Sequence, residues 1–309
     1  MLAHSPSAVL MVRPAGFYPN PETAGTNAFQ TNVGSDTDLT RVAHAEFDRM
    51  VCVLKAAGIP LVVFQSTEPE SPDAIFPNNW FISLPDGRFF LCPMLAPNRR
   101  RERGEGVIRL LQETIGFDSI EDWSGYELEG IFLEGTGSIV YDHASKVAYA
   151  VRSPRTDEVL FDRLCVETGY TPVVFDSFGR DGGAVYHTNV VLHIGMGYAV
   201  FCEESIPDSS QREMVTSALR SGGLKVIAIS IEQMEAFAGN MLQVSSREGT
   251  MYTVCSQTAF DSLNDDQKMA FDSLTRLLPV SIPVIEKTGG GSARCMLAEL
   301  FIQNPGRES

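Results

Sequence analysis

Residues Gly137–Ser153 read GSIVYDHASKVAYAVRS, and this stretch indicates how the whole chain is built. Two runs rich in β-branched and aromatic residues flank a short polar turn, which predicts a β-hairpin. A helical segment over about 156–168 and the apolar strand TPVVFDS follow the hairpin. The predicted order is therefore strand, strand, helix, strand.

The same order recurs along the chain. TNVVLHIGMGYAVFCEES predicts a second hairpin, which a helix over 209–221 and the strand LKVIAIS follow. NMLQVSSREGTMYTVCSQ predicts a third hairpin, followed by a helix over 265–278 and the strand VSIPVI. WFISLPDGRFFLCP predicts another hairpin around a Pro-Asp-Gly turn, with a helix that ends near Thr114.

The two ends of the chain together supply a fifth module. The last predicted strand, CMLAELFI, has no partner after it, whereas AVLMVRP precedes a helix over 38–57 and the strand PLVVFQ. Five modules spaced by about 50–60 residues indicate a repeat or propeller-like architecture. A module shared between the termini would close the ring and leave no free sheet edge. We predict one closed α/β domain over residues 1–309, built from five pseudo-symmetric modules in a ring.

Bulk composition limits the class of protein and its partners. The 309-residue chain is 44% hydrophobic and carries a formal net charge of -15. Such a surface repels phosphate backbones and anionic membranes, so we expect neither as a partner. The six cysteines show no C-x-x-C motif and no ligand-like spacing with histidine, which argues against disulfides and bound metal. With no secretory signal or spanning apolar run, we expect a cytoplasmic location.

Polar residues precede the first strand of each module. These five lead-in segments read FPNNW, LEGTGS, YHTNVV, FAGNML and GSARCM. In a pseudo-fivefold ring, they would converge near the central axis. The side chains brought together there would be those of Asn79, Glu134, His187, Asn189, Asn240 and Cys295.

A cysteine, a histidine and a carboxylate at equivalent positions form the constellation of thiol nucleophilic catalysis. A free thiol has a pKa near 8.5 and needs help to ionise. We expect His187 to be the ion-pair partner of Cys295 and then a general acid and base. Glu134 would orient His187 and favour its charged form. The glycines at 289–291 would let the backbone approach a ligand and keep the sulfur accessible.

Each of these residues alone is also compatible with a structural role. A lone cysteine before an apolar strand is usually buried and inert, and a lone histidine at a strand end is more often structural. FPNNW, LEGTGS and AGN are typical turn sequences. Their shared position in a fivefold repeat is what favours catalysis by Cys295 with His187.

In this order, the motifs resemble those of the guanidino-modifying enzymes, the amidinotransferase superfamily, and are most similar to the citrulline-utilisation hydrolase type. The resemblance covers nearly the whole chain. It implies the pentein fold, a five-bladed α/β propeller, with Cys295 as nucleophile, His187 as catalytic histidine and Glu134 as the glutamate of the EG-G motif. The stretches that carry it are VRPAGFYPNPETAGTNAFQ, FPNNWFISLPDG, LEGTGSIVYD, HTNVVLHIG and GGGSARCMLAE.

The resemblance also implies a reaction that needs no cofactor. The Cys295 thiolate would attack the central carbon of a guanidinium or ureido group, and His187 would protonate the departing nitrogen. A covalent thiouronium-type intermediate would form, and water activated by His187 would resolve it.

Two departures from the family pattern bear on the substrate. Arginine-processing relatives carry carboxylates where this chain has Asn79 and Asn189. Burying a guanidinium with fewer countercharges is costly, whereas an uncharged urea needs both donors and acceptors, which an amide offers. The two residues therefore favour a ureido substrate such as citrulline. Arginine dihydrolases resemble this chain in having Asn at the first position, so arginine stays open.

Three further residues are candidates for binding the rest of the substrate. Arg155, in RSPRTDEV, resembles an arginine that binds the α-carboxylate in relatives, although it also fits an exposed arginine at a helix start. Asn27, in GTNAFQ, resembles a substrate-contacting asparagine of the dihydrolases. Asn240 is included for its place in a lead-in segment. The arginines within 99–103 are a weaker candidate, because a charge run is usually a solvated face.

The sequence therefore predicts a cofactor-free, cysteine-dependent hydrolase of carbon–nitrogen bonds in ureido or guanidino groups of an arginine-related amino acid. The favoured reaction is citrulline to ornithine, carbon dioxide and ammonia. Arginine dihydrolase and arginine deiminase are the near alternatives, an amidinotransferase is less favoured, and a non-catalytic propeller that binds a partner is the alternative of another class. GGGSARC lacks the G-x-G-x-x-G fingerprint of a nicotinamide dehydrogenase. Self-association is left open.

Overall fold

The computed structural model describes residues 5–31, 38–117 and 120–301. Within those ranges it has fifteen strands and ten helices, and five 3₁₀ segments. The strands are β1 (Ala8–Arg13), β2 (Leu61–Gln65), β3 (Phe81–Ser83), β4 (Phe89–Leu91), β5 (Glu121–Asp122), β6 (Ile139–Asp142), β7 (Val147–Val151), β8 (Thr171–Phe175), β9 (Leu192–Gly195), β10 (Tyr198–Phe201), β11 (Lys225–Ala228), β12 (Leu242–Ser245), β13 (Met251–Ser256), β14 (Arg276–Val280) and β15 (Ala298–Leu300).

Most helices are short and lie between the strands. The helices are α1 (Leu39–Ala56), α2 (Glu105–Ile115), α3 (Gly135–Ser138), α4 (Glu158–Thr168), α5 (Thr188–Val191), α6 (Ser209–Ser221), α7 (Ile231–Glu235), α8 (Gln257–Ser262), α9 (Asp265–Asp272) and α10 (Pro283–Gly289). The 3₁₀ segments are Pro72–Ile75, Pro77–Asn79, Pro97–Arg103, Ser124–Glu129 and Glu203–Ser205.

The strands of the described residues form five separate three-stranded sheets rather than a closed barrel. Their orders are β3-β4-β5, β6-β7-β8, β9-β10-β11, β12-β13-β14 and β15-β1-β2. In each sheet, the middle strand pairs antiparallel with the first strand and parallel with the third. A tight turn can make the antiparallel pair, but the parallel pair needs a longer crossover, which the helical segments provide. The predicted five strand-strand-helix-strand modules are therefore confirmed.

The fifth sheet joins the two ends of the chain. Strand β15 pairs antiparallel with β1, so that Ala8 lies opposite Leu300. Strand β1 in turn pairs parallel with β2, with Val9 opposite Leu61. The predicted sharing of one module between the termini is confirmed by these registers.

Two predicted boundaries are wrong and one strand was not predicted. VSIPVI is not a strand: β14 is Arg276–Val280, and Pro283 begins α10, a first-turn position that suits proline because no amide hydrogen is needed there. The helix predicted over 265–278 accordingly ends at Asp272. Strand β5 consists only of Glu121–Asp122, and two acidic residues carry no strand signal.

Apolar side chains fill the space between neighbouring sheets. One cluster includes Ile82 of β3 and Ile139 of β6, and another includes Tyr149 of β7 and Tyr198 of β10. A cluster of this kind fixes how two sheets sit against each other, because buried side chains are close-packed. The lead-in segments at the strand starts are held in place by this packing.

The lead-in segments contact one another. Helix α3 contacts the 3₁₀ segment before β3 on one side and α5 on the other, and α5 contacts α7. Gly135 shows how close the approach is: a Cβ atom there would lie 2.6 Å from the carbonyl oxygen of Asn78, and its φ angle is +45°. Only glycine fits that position without a shift of the backbone. As a result, the residues that flank these turns come together.

Candidate active site

The Glu134 carboxylate lies at the start of α3 and is fully buried. Its Oε1 atom accepts a hydrogen bond from the backbone N–H of Leu95 at 3.1 Å. Its Oε2 atom lies 2.9 Å from His187 Nε2 and 3.4 Å from a terminal nitrogen of Arg155. The Asn79 amide also donates to Oε2, at 3.4 Å. Four segments of the chain therefore converge on one carboxylate.

The charges of Glu134 and His187 follow from this packing. Burial alone would raise the pKa of Glu134, but the positive charge of Arg155 and the hydrogen bond from His187 outweigh it, so the pKa is held well below its usual range. Burial lowers the pKa of His187 to about 4, although Glu134 acts in the opposite direction. At neutral pH, the pair is therefore a carboxylate and a neutral imidazole.

In a neutral imidazole one ring nitrogen donates and the other accepts. Because Nε2 faces the ionised Glu134, this nitrogen carries the proton and leaves Nδ1 as the acceptor. The amide nitrogen of Asn79 lies 3.4 Å from Nδ1 and 3.2 Å from Nε2. His187 is thus arranged as a base whose orientation Glu134 and Asn79 fix.

Cys295 follows the glycine run and is buried, with 4% of its surface exposed. Its Sγ atom lies 3.3 Å from the amide nitrogen of Asn240 and 3.8 Å from that of Asn189. Its own N–H donates to the Ser292 carbonyl at 3.0 Å. Burial raises the pKa of the Cys295 thiol. The hydrogen bonds with the Ser292 backbone and the Asn240 side chain lower this pKa, but only in part.

The sulfur therefore differs from the prediction in two respects. It is covered rather than accessible, and within the described residues its hydrogen bonds go to two amides rather than to His187. With a raised thiol pKa and a lowered imidazole pKa, the resting pair is neutral rather than an ion pair. A nucleophilic role for Cys295 would therefore require its thiol to ionise when a substrate binds.

A chain of hydrogen bonds links the lead-in segments around the sulfur. The Asn240 amide donates to the Asn189 carbonyl at 2.9 Å, and the Asn189 amide donates to the Thr136 carbonyl at 3.3 Å. The Thr136 hydroxyl donates to the Asn78 carbonyl at 3.2 Å. With its amide nitrogen turned towards Cys295, Asn78 donates to the Cys295 carbonyl at 2.9 Å. These bonds fix the two predicted asparagines, Asn189 and Asn240, next to Cys295.

One cavity, here called the catalytic cavity, collects most of the predicted residues. Asn27, Asn79, Arg155, His187 and Cys295 line it. Glu134 lies behind His187, and the amides of two further asparagines contact the sulfur, so that all eight predicted residues lie in one connected cluster. The cavity is only about 20 Å³ in volume, which is room for about one water molecule. A substrate of amino-acid size therefore requires it to open.

The segment around Asn27 closes the catalytic cavity. The Asn27 amide donates to the carbonyls of Gly289 and Gly290, each at 3.2 Å. Next to it, the Thr26 hydroxyl accepts a hydrogen bond from Arg155 at 2.8 Å. Displacing this segment would break these bonds and free the Arg155 guanidinium for a ligand.

Arg155 itself is buried, with 3% of its surface exposed, so the alternative of an exposed arginine at a helix start is wrong. Its guanidinium lies over the ring of Tyr186, 4.9 Å from the ring centre. The Tyr186 hydroxyl donates to the Gly290 carbonyl at 2.6 Å. A tyrosine one residue before His187 thus holds both the arginine and the glycine run.

The sequence did not point to Asp73 or Tyr186, and it left Arg99 within a charge run. All three line the catalytic cavity. Arg99 is buried and pairs with both oxygens of Glu102, at 2.8 and 3.0 Å, whereas Arg101 in the same 3₁₀ segment is more exposed. Asp73 lies outside the lead-in segments. Tyr186 lies within YHTNVV, but an aromatic residue before a strand reads as part of the core, and a buried arginine within a basic run gives no separate signal.

Three buried polar atoms at this site have no partner in the described residues: Asp73 Oδ1, Arg155 Nε and Asn189 Oδ1. Unpaired buried polar groups are costly, and such groups in a native site mark places for water or a ligand. A carboxylate oxygen and a guanidinium N–H suit the ammonium and carboxylate of an α-amino acid. An amide oxygen next to Cys295 suits an N–H at the reacting end.

Comparisons with known proteins show the family to which the chain belongs. Residues 13–302 match the model of a family described as N,N dimethylarginine dimethylhydrolase, eukaryotic. A comparison with curated proteins gave no significant match. This family match confirms the resemblance to the guanidino-modifying enzymes.

Solved structures share the fold at low sequence identity. The substrate-bound N-terminal domain of ArgZ, an arginine dihydrolase of cyanobacteria, is 12% identical with a TM-score of 0.74, and the match covers 96% of this chain and 98% of that one. Unliganded AgrE is 16% identical, with a TM-score of 0.73 and coverage of 96% and 39%. A mutant of DDAH from Pseudomonas aeruginosa, complexed with citrulline, is 13% identical, with a TM-score of 0.65, and the match covers 96% of this chain and 99% of that one.

These similarities show a mixed α/β fold common to the pentein structures. Over the described ranges, no helix is long and apolar enough to cross a membrane. In the same ranges, no group of three or more His, Cys, Asp or Glu side chains is placed to hold a metal ion.

The raised pKa of Cys295 predicts how its alkylation depends on pH. Because only the thiolate reacts, the rate of modification by iodoacetamide should keep rising to at least about pH 9 without a plateau near neutrality. Peptide mass spectrometry across a pH series measures this rate, and the exposed Cys52 in the same digest reports on the reagent. A rate that levels off below about pH 8 would show that the resting site already holds a thiolate.

Proposed function

This chain belongs to the family described as eukaryotic N,N-dimethylarginine dimethylhydrolase, and on that premise we propose that it hydrolyses the ureido group of citrulline to ornithine, carbon dioxide and ammonia. Membership makes the chain a hydrolase of carbon–nitrogen bonds in amidino-type groups of arginine derivatives. The proposal narrows that activity to one substrate and assigns the reaction to Cys295, His187 and Glu134.

The observation that carries the proposal is the charge balance at the reacting end of the catalytic cavity. Glu134 is the carboxylate that contacts His187 there, and Arg155 already balances its charge at 3.4 Å. Asn79 and Asn189 add only neutral amides. A buried guanidinium would need a further countercharge, whereas an uncharged urea can exchange hydrogen bonds with two amides. The balance therefore favours a ureido group.

The amino-acid end of citrulline has partners at the other end of the cavity. The unpartnered Asp73 Oδ1 is suited to the α-ammonium group, and the Arg155 guanidinium, once released from Thr26, to the α-carboxylate. Asn27 would then cover the ligand, as it covers the cavity here. Arg99 lines the same cavity, with its Nε atom 4.0 Å from Asp73 Oδ2.

In the first half of the reaction, the Cys295 thiol loses its proton as its sulfur attacks the ureido carbon. His187 accepts that proton at Nδ1 and passes it to the terminal nitrogen of the substrate. The carbon–nitrogen bond breaks and ammonia leaves, so that a thiocarbamate joins the sulfur to the ornithine side chain. For a ureido substrate, this thiocarbamate takes the place of a thiouronium.

In the second half, His187 removes a proton from a water molecule that attacks the thiocarbamate carbon. The carbon–sulfur bond breaks, and the proton returns to Cys295. The product is the carbamate of ornithine, which loses carbon dioxide and leaves ornithine. The sum is one citrulline and one water giving ornithine, carbon dioxide and ammonia, with no change in oxidation state.

We further propose that the five sheets are the blades of a single propeller domain over residues 1–309. First strands of several neighbouring sheets contact one another, among them β6 with β9, β9 with β12, and β15 with β3, which supports this arrangement. A cytoplasmic location, a small amino acid as the partner and the absence of a bound cofactor complete the proposal.

The second candidate is hydrolysis of a guanidino substrate, either arginine or the dimethylarginine of the family description. Family membership supports it, and the buried Glu134 would supply one countercharge. The neutral residues Asn79 and Asn189 count against it. A comparison of citrulline, arginine and N,N-dimethylarginine as substrates distinguishes the two candidates.

The purified protein should release ornithine and ammonia from citrulline, with much less product from arginine or N,N-dimethylarginine. Mass spectrometry of the amino acids and a coupled ammonia assay measure this. The variant Cys295→Ala should lose activity by at least about 1,000-fold, because removal of a nucleophile abolishes the covalent route. Cys52→Ala, at an exposed thiol, is the matched control and should keep full activity. Citrulline turnover that survives Cys295→Ala would refute the mechanism, and turnover of arginine alone would refute the substrate.

The variant Asn79→Asp should shift the substrate preference from citrulline towards arginine. A second carboxylate beside Glu134 penalises a neutral ligand but supplies the countercharge that a guanidinium needs. The ratio of kcat/KM for arginine to that for citrulline should therefore rise by about tenfold or more, which corresponds to about 1.4 kcal/mol. Asn79→Ala is the control, because it removes the amide without adding charge. An unchanged ratio in Asn79→Asp would mean that charge at this position does not select the substrate.

A further inference from the structure

A second and larger cavity, here called the side cavity, lies beside the catalytic cavity. Its volume is about 400 Å³, which falls in the range of about 300–1,000 Å³ typical of small-molecule pockets. Its apolar wall includes Phe29, Val185, Phe237 and Pro283. The rings of Phe29 and Phe237 are tilted towards each other, with centres 5.2 Å apart. The cavity is thus large enough for a metabolite and is apolar on one side.

The side cavity shares its walls with the catalytic cavity. Three segments run from one to the other, and in each segment residues that are close in sequence line different cavities. The pairs are Asn27 and Ala28, Val185 and Tyr186, and Lys287 and Gly289.

The polar part of the side cavity is mostly acidic. Asp181, Glu235 and Glu286 contribute carboxylates, and Lys287 contributes an ammonium group. Lys287 is exposed and has no ion-pair partner among the described residues. Glu235 shares Arg180 with another acid, so its charge is only partly balanced. The cavity therefore offers an excess of negative charge together with one free cation.

Hydrogen bonds connect Glu286, on this acidic side, to Cys295 through Ser292. It is 5% exposed, and its Oε1 atom accepts a hydrogen bond from the Ser292 hydroxyl at 2.6 Å. The Ser292 carbonyl in turn accepts the N–H of Cys295. A ligand that contacts Glu286 would therefore be two hydrogen bonds away from the catalytic cysteine.

We propose that the side cavity binds a cationic α-amino acid, one that carries an ammonium group on its side chain. The two ammonium groups would face the carboxylates, and the α-carboxylate would face Lys287. The methylene chain would lie against the apolar wall, and the faces of Phe29 and Phe237 attract cations. An amino acid with an uncharged side chain has only one ammonium group for three carboxylates, so it should bind less well.

Calorimetry on the whole chain with L-lysine and L-ornithine as probes tests the proposal, with L-norleucine as the uncharged comparison. Glu235→Gln and Lys287→Met should each weaken binding of the cationic probes by about fivefold or more, since each removes one charged contact. Glu232→Gln is the matched control. It lies on the same helix and pairs with the same Arg180, at 2.7 Å, but does not line the cavity. Unfolding midpoints of all variants check that each one is folded.

Alkylation of Cys295 with iodoacetamide distinguishes binding in the two cavities, because the carbamidomethyl group on the sulfur would fill the catalytic cavity. Binding of L-lysine that persists after alkylation and is weakened by Glu235→Gln supports the side cavity. Binding lost on alkylation but kept in Glu235→Gln would place the probe in the catalytic cavity and overturn the proposal. The proposal would also be overturned if Glu232→Gln weakened binding as much as Glu235→Gln does, or if L-norleucine bound as tightly as L-lysine. Absence of binding at millimolar concentrations of L-lysine and L-ornithine would overturn it as well. None of these readouts requires citrulline turnover, so failure of the proposed function leaves the test intact.

Discussion

The buried carboxylate of Glu134 sets the requirements that the rest of the site meets. An ionised carboxylate cut off from water is very costly unless charges and donors surround it. Here Arg155, His187, Asn79 and the backbone of Leu95 do so, and they come from four different segments. These four segments must therefore be held next to one another before the carboxylate can ionise. The chain of hydrogen bonds between the lead-in segments holds them in place around Cys295.

How far the sequence predicted the structure depends on whether a feature repeats. Hairpins with turn signals and the shared terminal sheet were predictable, because alternating apolar residues and polar turns specify them locally. The convergence of Glu134, His187 and Cys295 was predictable only because each precedes a first strand. Asp73 lies outside the lead-in segments, and Tyr186, although it lies within YHTNVV, is an aromatic residue that the pattern does not distinguish from the core. The neutral state of the thiol and imidazole follows from burial, which sequence spacing does not report.

A neutral resting site changes how catalysis must start. Cys295 is buried and contacts two amides, so in the proposed mechanism the thiolate forms only once a substrate brings the sulfur, His187 and the reacting carbon together. Such a site avoids holding a reactive anion in an apolar setting. The side cavity is connected to this site, since its walls continue into those of the catalytic cavity. Contacts made there by a ligand would act on the same backbone that carries Asn27 and the glycine run.

The central claim is that the ureido carbon of citrulline becomes bonded to Cys295. The most direct measurement is acid quenching of the enzyme during turnover of citrulline, followed by mass spectrometry of the peptide that contains Cys295. The account predicts that this peptide gains the mass of citrulline less ammonia, and that carbon-13 placed in the ureido group of citrulline moves into the adduct. An adduct formed with arginine but not with citrulline, or one carried by another residue, would contradict it.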